Sequence, residues 1–274
     1  MGEKVFPFII IEDKKYPTII MGEDNFTGWW EKGKFNSEDE RAQSYKGALL
    51  EAYKQGVRGF SMSPQGTLIK VLAEFKEKKR DIVCIANPHW KSHYYIENES
   101  LWDAKYKKKL EANSFSPNES RLIRLDIKEY LMKLEIFRQF CDFCLVGNIG
   151  DNSLAYLGRD DILRLEAELC RKAGLVPIAI CEAGANAAEK ISLSKIDIGE
   201  YWIRFDKEQD VSKLKNLKKP LTAYKIFSGR GRFNIAGAIK KINNIPQVNS
   251  ISIGVDNKKQ AKETFSIIRE LEGN

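Results

Sequence analysis

No run of eighteen apolar residues occurs in the chain, so a membrane-spanning helix of ordinary length is not expected. The N-terminus, Met1-Gly2-Glu3-Lys4-Val5, lacks the charged-then-apolar layout of a signal peptide. Phe6 stands where a myristoylation signal requires Ser or Thr. These absences lead to the expectation of a cytoplasmic protein without a membrane partner. Cysteine is sparse and odd in number, five in all, which argues against a disulfide framework and for a reducing compartment. Cys141-Asp142-Phe143-Cys144 has redox or zinc spacing. The pair sits where a helix gives way to a strand, however, whereas a reactive thiol wants a helix N-terminus, and no second pair completes a zinc site. Buried structural thiols are expected. No nucleic-acid-binding motif is present either. The net charge of +7 is spread over every helical segment among Asp and Glu, which describes a solvated surface and no nucleic-acid partner.

What the chain does have is a repeating unit: a short apolar or β-branched run, polar residues at its end, then an amphipathic helix. The runs are 17–22, 57–62, 81–86, 142–147, 175–180, 200–205, 221–227 and 250–253. Helices are expected from Ser37 (a capping box with Glu40) to Gln55, up to about Lys79, over 119–140, over 160–173, after Gly184, over 207–217, from about Asn234, and over 258–271. Eight such pairs in 274 residues, with 43% hydrophobic content, predict an α/β fold of the (β/α)8 TIM-barrel class spanning 1–274 as one domain. A doubly wound open sheet is the alternative, but no Gly-x-Gly-x-x-Gly turn follows the first run. Residues 1–16 form an apolar N-terminal extension suited to plugging the barrel bottom. The third run is followed by an aromatic-rich insertion, 88–118, of the length that lids and binding loops have.

The most informative stretch is Pro220 to Phe233. A strand with one lysine in it, Lys225, breaks into Ser228-Gly229-Arg230-Gly231-Arg232 just before a helix. Strand, glycine-rich turn and helix start leave backbone N–H groups aimed at an anion, and two arginines strengthen that reading. The alternative is that both glycines only supply left-handed backbone in a loop.

In TIM barrels the active site lies at the C-terminal ends of the strands. The polar residues there are Glu23, Asp24 and Asn25; Ser61 and Ser63; Asn87 and His89; Asn148 and Asp151; Glu182; Arg204 and Asp206; Lys225, Ser228 and Arg230; and Asp256 and Asn257. Period-two alternation places Ala223, Lys225 and Phe227 on one face of the seventh strand and Thr222, Tyr224 and Ile226 on the other. The second set suits the helix-facing layer, so Lys225 is expected inside the barrel, paired with Glu182, Asp206 or Glu23. Such a lysine is a Schiff-base nucleophile, a general base or an ion-paired filler. Trp202, Arg204 and Asp206 share a face of the sixth strand, and Arg204 is placed to hold a substrate carboxylate or Asp206 itself. His89 and His93 have i, i+4 spacing and are weak metal candidates, with Glu97 or a first-strand carboxylate as the third ligand.

The last third of the chain resembles aldo/keto reductase-like barrels. The matching parts are Lys219-Pro220-Leu221, Lys225-Ile226-Phe227-Ser228-Gly229-Arg230, Ile251 to Asn257, and a final helix carrying Glu263 and Thr264, with looser echoes at 16–28 and 56–60. The resemblance implies that the loops after strands seven and eight hold the phosphates of a nicotinamide dinucleotide, NADP among the possibilities. It also implies Asp, Tyr, Lys and His around strands two to four. Here those places carry Ser61 or Met62, no tyrosine before Lys70, Asn87, and Asn148. The proton donor of carbonyl reduction is therefore missing from its family position.

Three functions are expected from these readings. The first is an enzyme acting on a small anionic or phosphorylated carbonyl compound by lyase or isomerase chemistry. Its catalytic residues are Lys225, Glu182 and Asp206, and its ligand-binding residues are Ser228, Gly229, Arg230, Gly231, Arg232, Asn257, Asn87, Asn148, Arg204, Glu23 and Asp24. The second is a divergent nicotinamide-dependent reductase using His89 or Tyr94 as proton donor. The third is a non-catalytic barrel that binds a metabolite or nucleotide.

Overall fold

Eight parallel strands close into a barrel, and the closing pair joins the last strand to the first in the register Ile251↔Ile19 to Gly254↔Gly22. The strands are β1 (Ile19–Gly22), β2 (Gly59–Met62), β3 (Val83–Ala86), β4 (Cys141–Val146), β5 (Val176–Cys181), β6 (Glu200–Arg204), β7 (Leu221–Tyr224) and β8 (Ser250–Gly254). Between them run α1 (Glu38–Lys54), α2 (Gly66–Lys78), α3 (Ile127–Phe137), α4 (Asp160–Lys172), α5 (Ala185–Leu193) and α6 (Ile235–Asn243), with α7 (Lys258–Glu272) last. The structure is a computed structural model and describes residues 5–27, 34–89, 93–112, 114–149, 152–206, 210–227 and 234–272. Among the described residues no helix is long and apolar enough to cross a membrane. The chain is thus a (β/α)8 barrel.

Strand periodicity divides the core in two. One set of side chains fills the barrel: Ile20, Val83, Ile85, Phe143, Leu145, Ile178, Ile180, Trp202 and Tyr224. The other set, including Met21, Phe60, Cys84, Cys144, Ala179, Ile203 and Ala223, packs against the helices. A hairpin of Phe8–Ile11 and Lys14–Pro17 delivers Ile11 and Tyr16 to the barrel-filling cluster. Gly59 is fixed by that hairpin, since a Cβ there would stand 2.4 Å from Pro17 Cγ and 2.9 Å from the Ile19 carbonyl. All five cysteines are buried and free.

The structure departs from the sequence pattern in three places. The helix expected over 119–140 is two helices, Pro117–Leu122 and α3, separated by a short strand, Arg124–Leu125. That strand pairs with Tyr94–Ile96 of the insertion, and Asp126 restarts the helix by accepting the Glu129 N–H at 2.9 Å. The crossover expected as a helix over 207–217 is a 3₁₀ turn at Val211–Asn216. Strand β7 ends at Tyr224, because Lys225 has φ of 48° and leaves the extended region.

Candidate active site

The face of β7 that fills the barrel is the reverse of the one alternation suggested. Thr222 and Tyr224 point inward, while Ala223 and Ile226 pack outward under the helices. Lys225 nonetheless reaches the mouth. Its left-handed backbone breaks the alternation one residue past the strand and turns the side chain over the barrel opening, at a cost of about 1 kcal/mol for a non-glycine residue. There Nζ lies 3.1 Å from both carboxylate oxygens of Glu182.

Glu182 follows β5 directly and is buried, and it accepts a second cation as well. Arg204, the last residue of β6, donates Nη1 to Glu182 Oε2 at 3.1 Å and grips Asp206 with Nε and Nη2 at 2.5 and 2.7 Å. Two cations, Lys225 and Arg204, and two carboxylates, Glu182 and Asp206, thus form one connected network. The bidentate clamp of Asp206 raises the Arg204 pKa further, so this guanidinium is a fixed positive charge. The network forms one wall of a cavity of about 600 Å³ at the C-terminal end of the barrel.

The floor is aromatic, with the rings of Trp202 and Tyr224 6.0 Å apart. On the opposite side Lys34 donates to Asp256 Oδ1 at 2.9 Å and to the Asn25 carbonyl at 3.1 Å. Asp24, Ser61, Asn87 and Asn148 complete the lining. Glu23 is buried beside this wall, with its N–H donating to Ser61 Oγ and one oxygen 3.4 Å from Asn87 Nδ2. Burial, and then the neighbouring Asp24 charge, push its pKa up to about 8. Glu23 is therefore a carboxylic acid that keeps its proton at neutral pH.

Glu200 is a buried acid that the strand-end pattern leaves out. Glu200 opens β6 on the same face as Trp202 and Arg204, and no part of it is exposed. It ends a donor chain in which Trp202 Nε1 donates to Tyr16 Oη at 2.7 Å, Tyr16 bonds Thr222 Oγ1 at 3.2 Å, and Thr222 donates to Glu200 at 2.5 Å. Burial raises its pKa to about 8. The signal was present, since the alternation that joined Trp202 to Arg204 also includes Glu200.

Other expected residues lie elsewhere. Ser228, Gly229, Arg230, Gly231 and Arg232 fall outside the described residues. Asn257 is exposed, and its side-chain oxygen accepts the Gln260 N–H at 3.0 Å, capping α7. His89, His93 and Tyr94 are buried away from the mouth cavity, so neither His89 nor Tyr94 faces it as a proton donor. The two histidines gather around Glu166 of α4, not Glu97 or Glu23. Burial drives both imidazole pKa values down to about 3, which keeps them neutral.

No protein-family model matches the sequence, and no curated protein matches it. Solved structures do match in fold. A putative aldo-keto reductase from Pseudomonas aeruginosa superposes with a TM-score of 0.59 at 13% identity, over 98% of each chain. An aldo-keto reductase from Bacillus halodurans gives 0.59 at 11% identity, over 96% of this chain and 91% of that one. A glycerol dehydrogenase from Gluconobacter oxydans gives 0.55 at 12%, over 100% and 95%. These likenesses show the fold, a (β/α)8 barrel shared with aldo-keto reductases. Within that frame strands β2 to β4 bring Ser61, Asn87 and Asn148 to the cavity. An asparagine amide neither gives up nor takes a proton near neutral pH, so the two asparagines can orient a polar substrate group but not protonate it.

Proposed function

We propose that the mouth cavity binds a small anionic carbonyl compound and that Lys225 is its reactive group, in chemistry of the lyase or isomerase type. The observation that carries this reading is the placement of Lys225: a strained, left-handed residue whose ammonium is held by both oxygens of Glu182 at 3.1 Å inside a cavity at the active end of the barrel. Non-glycine residues in that backbone region persist where the surroundings impose them, and they cluster at functional sites.

The network suits the required proton movements. Attack on a carbonyl needs the free amine, and Glu182 is positioned to accept the ammonium proton as the substrate enters. The amine adds to the carbonyl carbon to give a carbinolamine. Glu182 returns that proton to the hydroxyl, which leaves as water, and the resulting protonated Schiff base again faces the Glu182 carboxylate. Arg204, locked by Asp206 and Glu182, sets a fixed positive charge in the cavity wall for the substrate's anionic group. Glu23, protonated at neutral pH and linked to the lining through Asn87, is the acid on the facing wall.

The reading is tested by thermal unfolding in the presence of pyruvate, dihydroxyacetone phosphate and inorganic phosphate. Saturable stabilisation by at least one of them is expected, reduced at least tenfold in apparent affinity in both Arg204→Met and Lys225→Met. Stabilisation that is unchanged in both variants would place anion binding elsewhere and remove the proposal.

A further inference from the structure

The mouth network leaves unused a second polar cluster, enclosed between the barrel wall and the insertion. His89 follows β3, His93 precedes the insertion strand Tyr94–Ile96, and Glu166 comes from the middle of α4; they are 6%, 1% and 0% exposed. Each offers one nitrogen or oxygen within 4.8 Å of the others. The shortest approach is His93 Nε2 to Glu166 Oε1, at 3.0 Å.

Two imidazoles and a carboxylate are a donor set for a first-row divalent ion. The surroundings hold two of the donors, His89 and Glu166, ready for a metal. His89 Nε2 donates to the Leu145 carbonyl at 3.1 Å, so its lone pair lies on Nδ1. That nitrogen is buried and has no hydrogen-bond partner among the described residues. An unsatisfied buried acceptor is uncommon and calls for an explanation, and a bound cation supplies one. Glu166 Oε2 accepts the Gly147 N–H at 2.7 Å and Tyr94 Oη donates to Oε1 at 2.5 Å, which orients the carboxylate. These are the outer hydrogen bonds that hold metal ligands in place. Lys133 Nζ lies 3.4 Å from His93 Nδ1, and its charge is met by Glu129 at 2.8 Å. An open cleft of about 620 Å³ lined by His93, Tyr94, Asp126 and Glu129 adjoins the cluster, and its Asp126 carboxylate favours an approaching cation.

We propose that His89, His93 and Glu166 bind one divalent transition-metal ion, zinc in the first place, as a staple between the insertion and the barrel. The ion takes the position of the proton on His93 Nε2; that proton moves to Nδ1, and Lys133 turns from Nδ1 to its partner Glu129. Tetrahedral bonds of about 2.0–2.2 Å place ligand atoms about 3.3 Å apart, so the widest pair closes by roughly 1.5 Å, within the reach of side-chain rotation. The staple ties β3, β4 and α4 to the insertion. It also anchors His89, two residues from Asn87 of the mouth cavity, without contributing to that cavity itself.

The chain contains only two histidines, so a histidine-bound metal assigns its own ligands. Untagged, chelator-treated protein is titrated with cobalt(II) chloride. Uptake is expected to saturate at one ion per chain, with visible ligand-field bands and two exchangeable imidazole N–H resonances shifted by the paramagnetic ion. Zinc at a hundredfold excess over Kd raises the unfolding temperature by about 5 °C. Glu166→Gln, which keeps the side chain's shape, lowers affinity at least tenfold. Absence of saturable uptake, or uptake without the two histidine resonances, overturns the proposal, and the wild-type spectra decide the matter should the variant fail to fold.

Discussion

Glu200 gives the most quantitative consequence of the barrel interior. Its carboxyl has a pKa of about 8 in the folded chain against an ordinary value of 4.5. The folded state therefore holds this proton more tightly than the unfolded state. Stability linked to it is fully present below about pH 4.5 and is lost progressively as pH rises to about 8, after which the loss is constant. At about 1.4 kcal/mol per pH unit, the span from 4.5 to about 8 is worth close to 5 kcal/mol. Glu200→Gln removes the titration while keeping an oxygen for the Thr222 hydroxyl to donate to. The amide's own buried N–H groups cost about 1–3 kcal/mol, but they cost it at every pH. Urea unfolding of both proteins near pH 5 and pH 9 isolates the effect, because the difference between the two differences cancels the amide. The variant should gain about 4 kcal/mol on wild type between the two pH values, equivalent to roughly 1.3 M in urea midpoint if the slope is about 3 kcal/mol/M. A variant whose deficit is the same at both pH values would refute the argument and show that Glu200 is ionised throughout.

Gly59→Ala should destabilise the fold by about 1–3 kcal/mol, because its Cβ would overlap Pro17 Cγ at 2.4 Å in the hairpin that helps to fill the barrel; differential scanning calorimetry would register a lower unfolding temperature. Glu23 loses its proton as pH passes about 8, which adds negative charge beside the cavity, so phosphate or pyruvate should stabilise wild type less at pH 9 than at pH 7. In Glu23→Gln that decline should be absent, as ligand titrations followed by thermal unfolding would report. Lys225→Gly relieves the left-handed backbone but strips the ammonium from Glu182, so ligand stabilisation should disappear while the melting temperature of the unliganded protein changes little.

The barrel was legible because its signals are local and repeated. Period-two runs, caps such as Ser37 with the Glu40 N–H, and polar strand ends all occur within a few residues of one another. The network of Lys225, Glu182, Arg204 and Asp206 could be assembled from the barrel's general geometry, since strand ends converge whatever the sequence between them. The face of β7 could not be read, because alternation holds only while the backbone stays extended and nothing local announces a left-handed lysine. The i, i+4 spacing of His89 and His93 gave no hint of their third partner, because the carboxylate comes from Glu166, 73 positions beyond His93. The break inside 119–140 was more accessible. Asp126 with Glu129 three residues later is a helix-start signal, and it was masked by the continuous apolar periodicity around it.

The central claim is that Lys225 is the reactive group of the mouth cavity. It is tested most directly by reducing the protein with borohydride in the presence of pyruvate or dihydroxyacetone phosphate and mapping the product by peptide mass spectrometry. A single covalent adduct on Lys225, absent from Lys225→Met and slowed in Glu182→Gln, is the predicted result. A compound that stabilises the protein through Arg204 yet leaves Lys225 unmodified would contradict it, reducing the lysine to an ion-paired wall of a binding site.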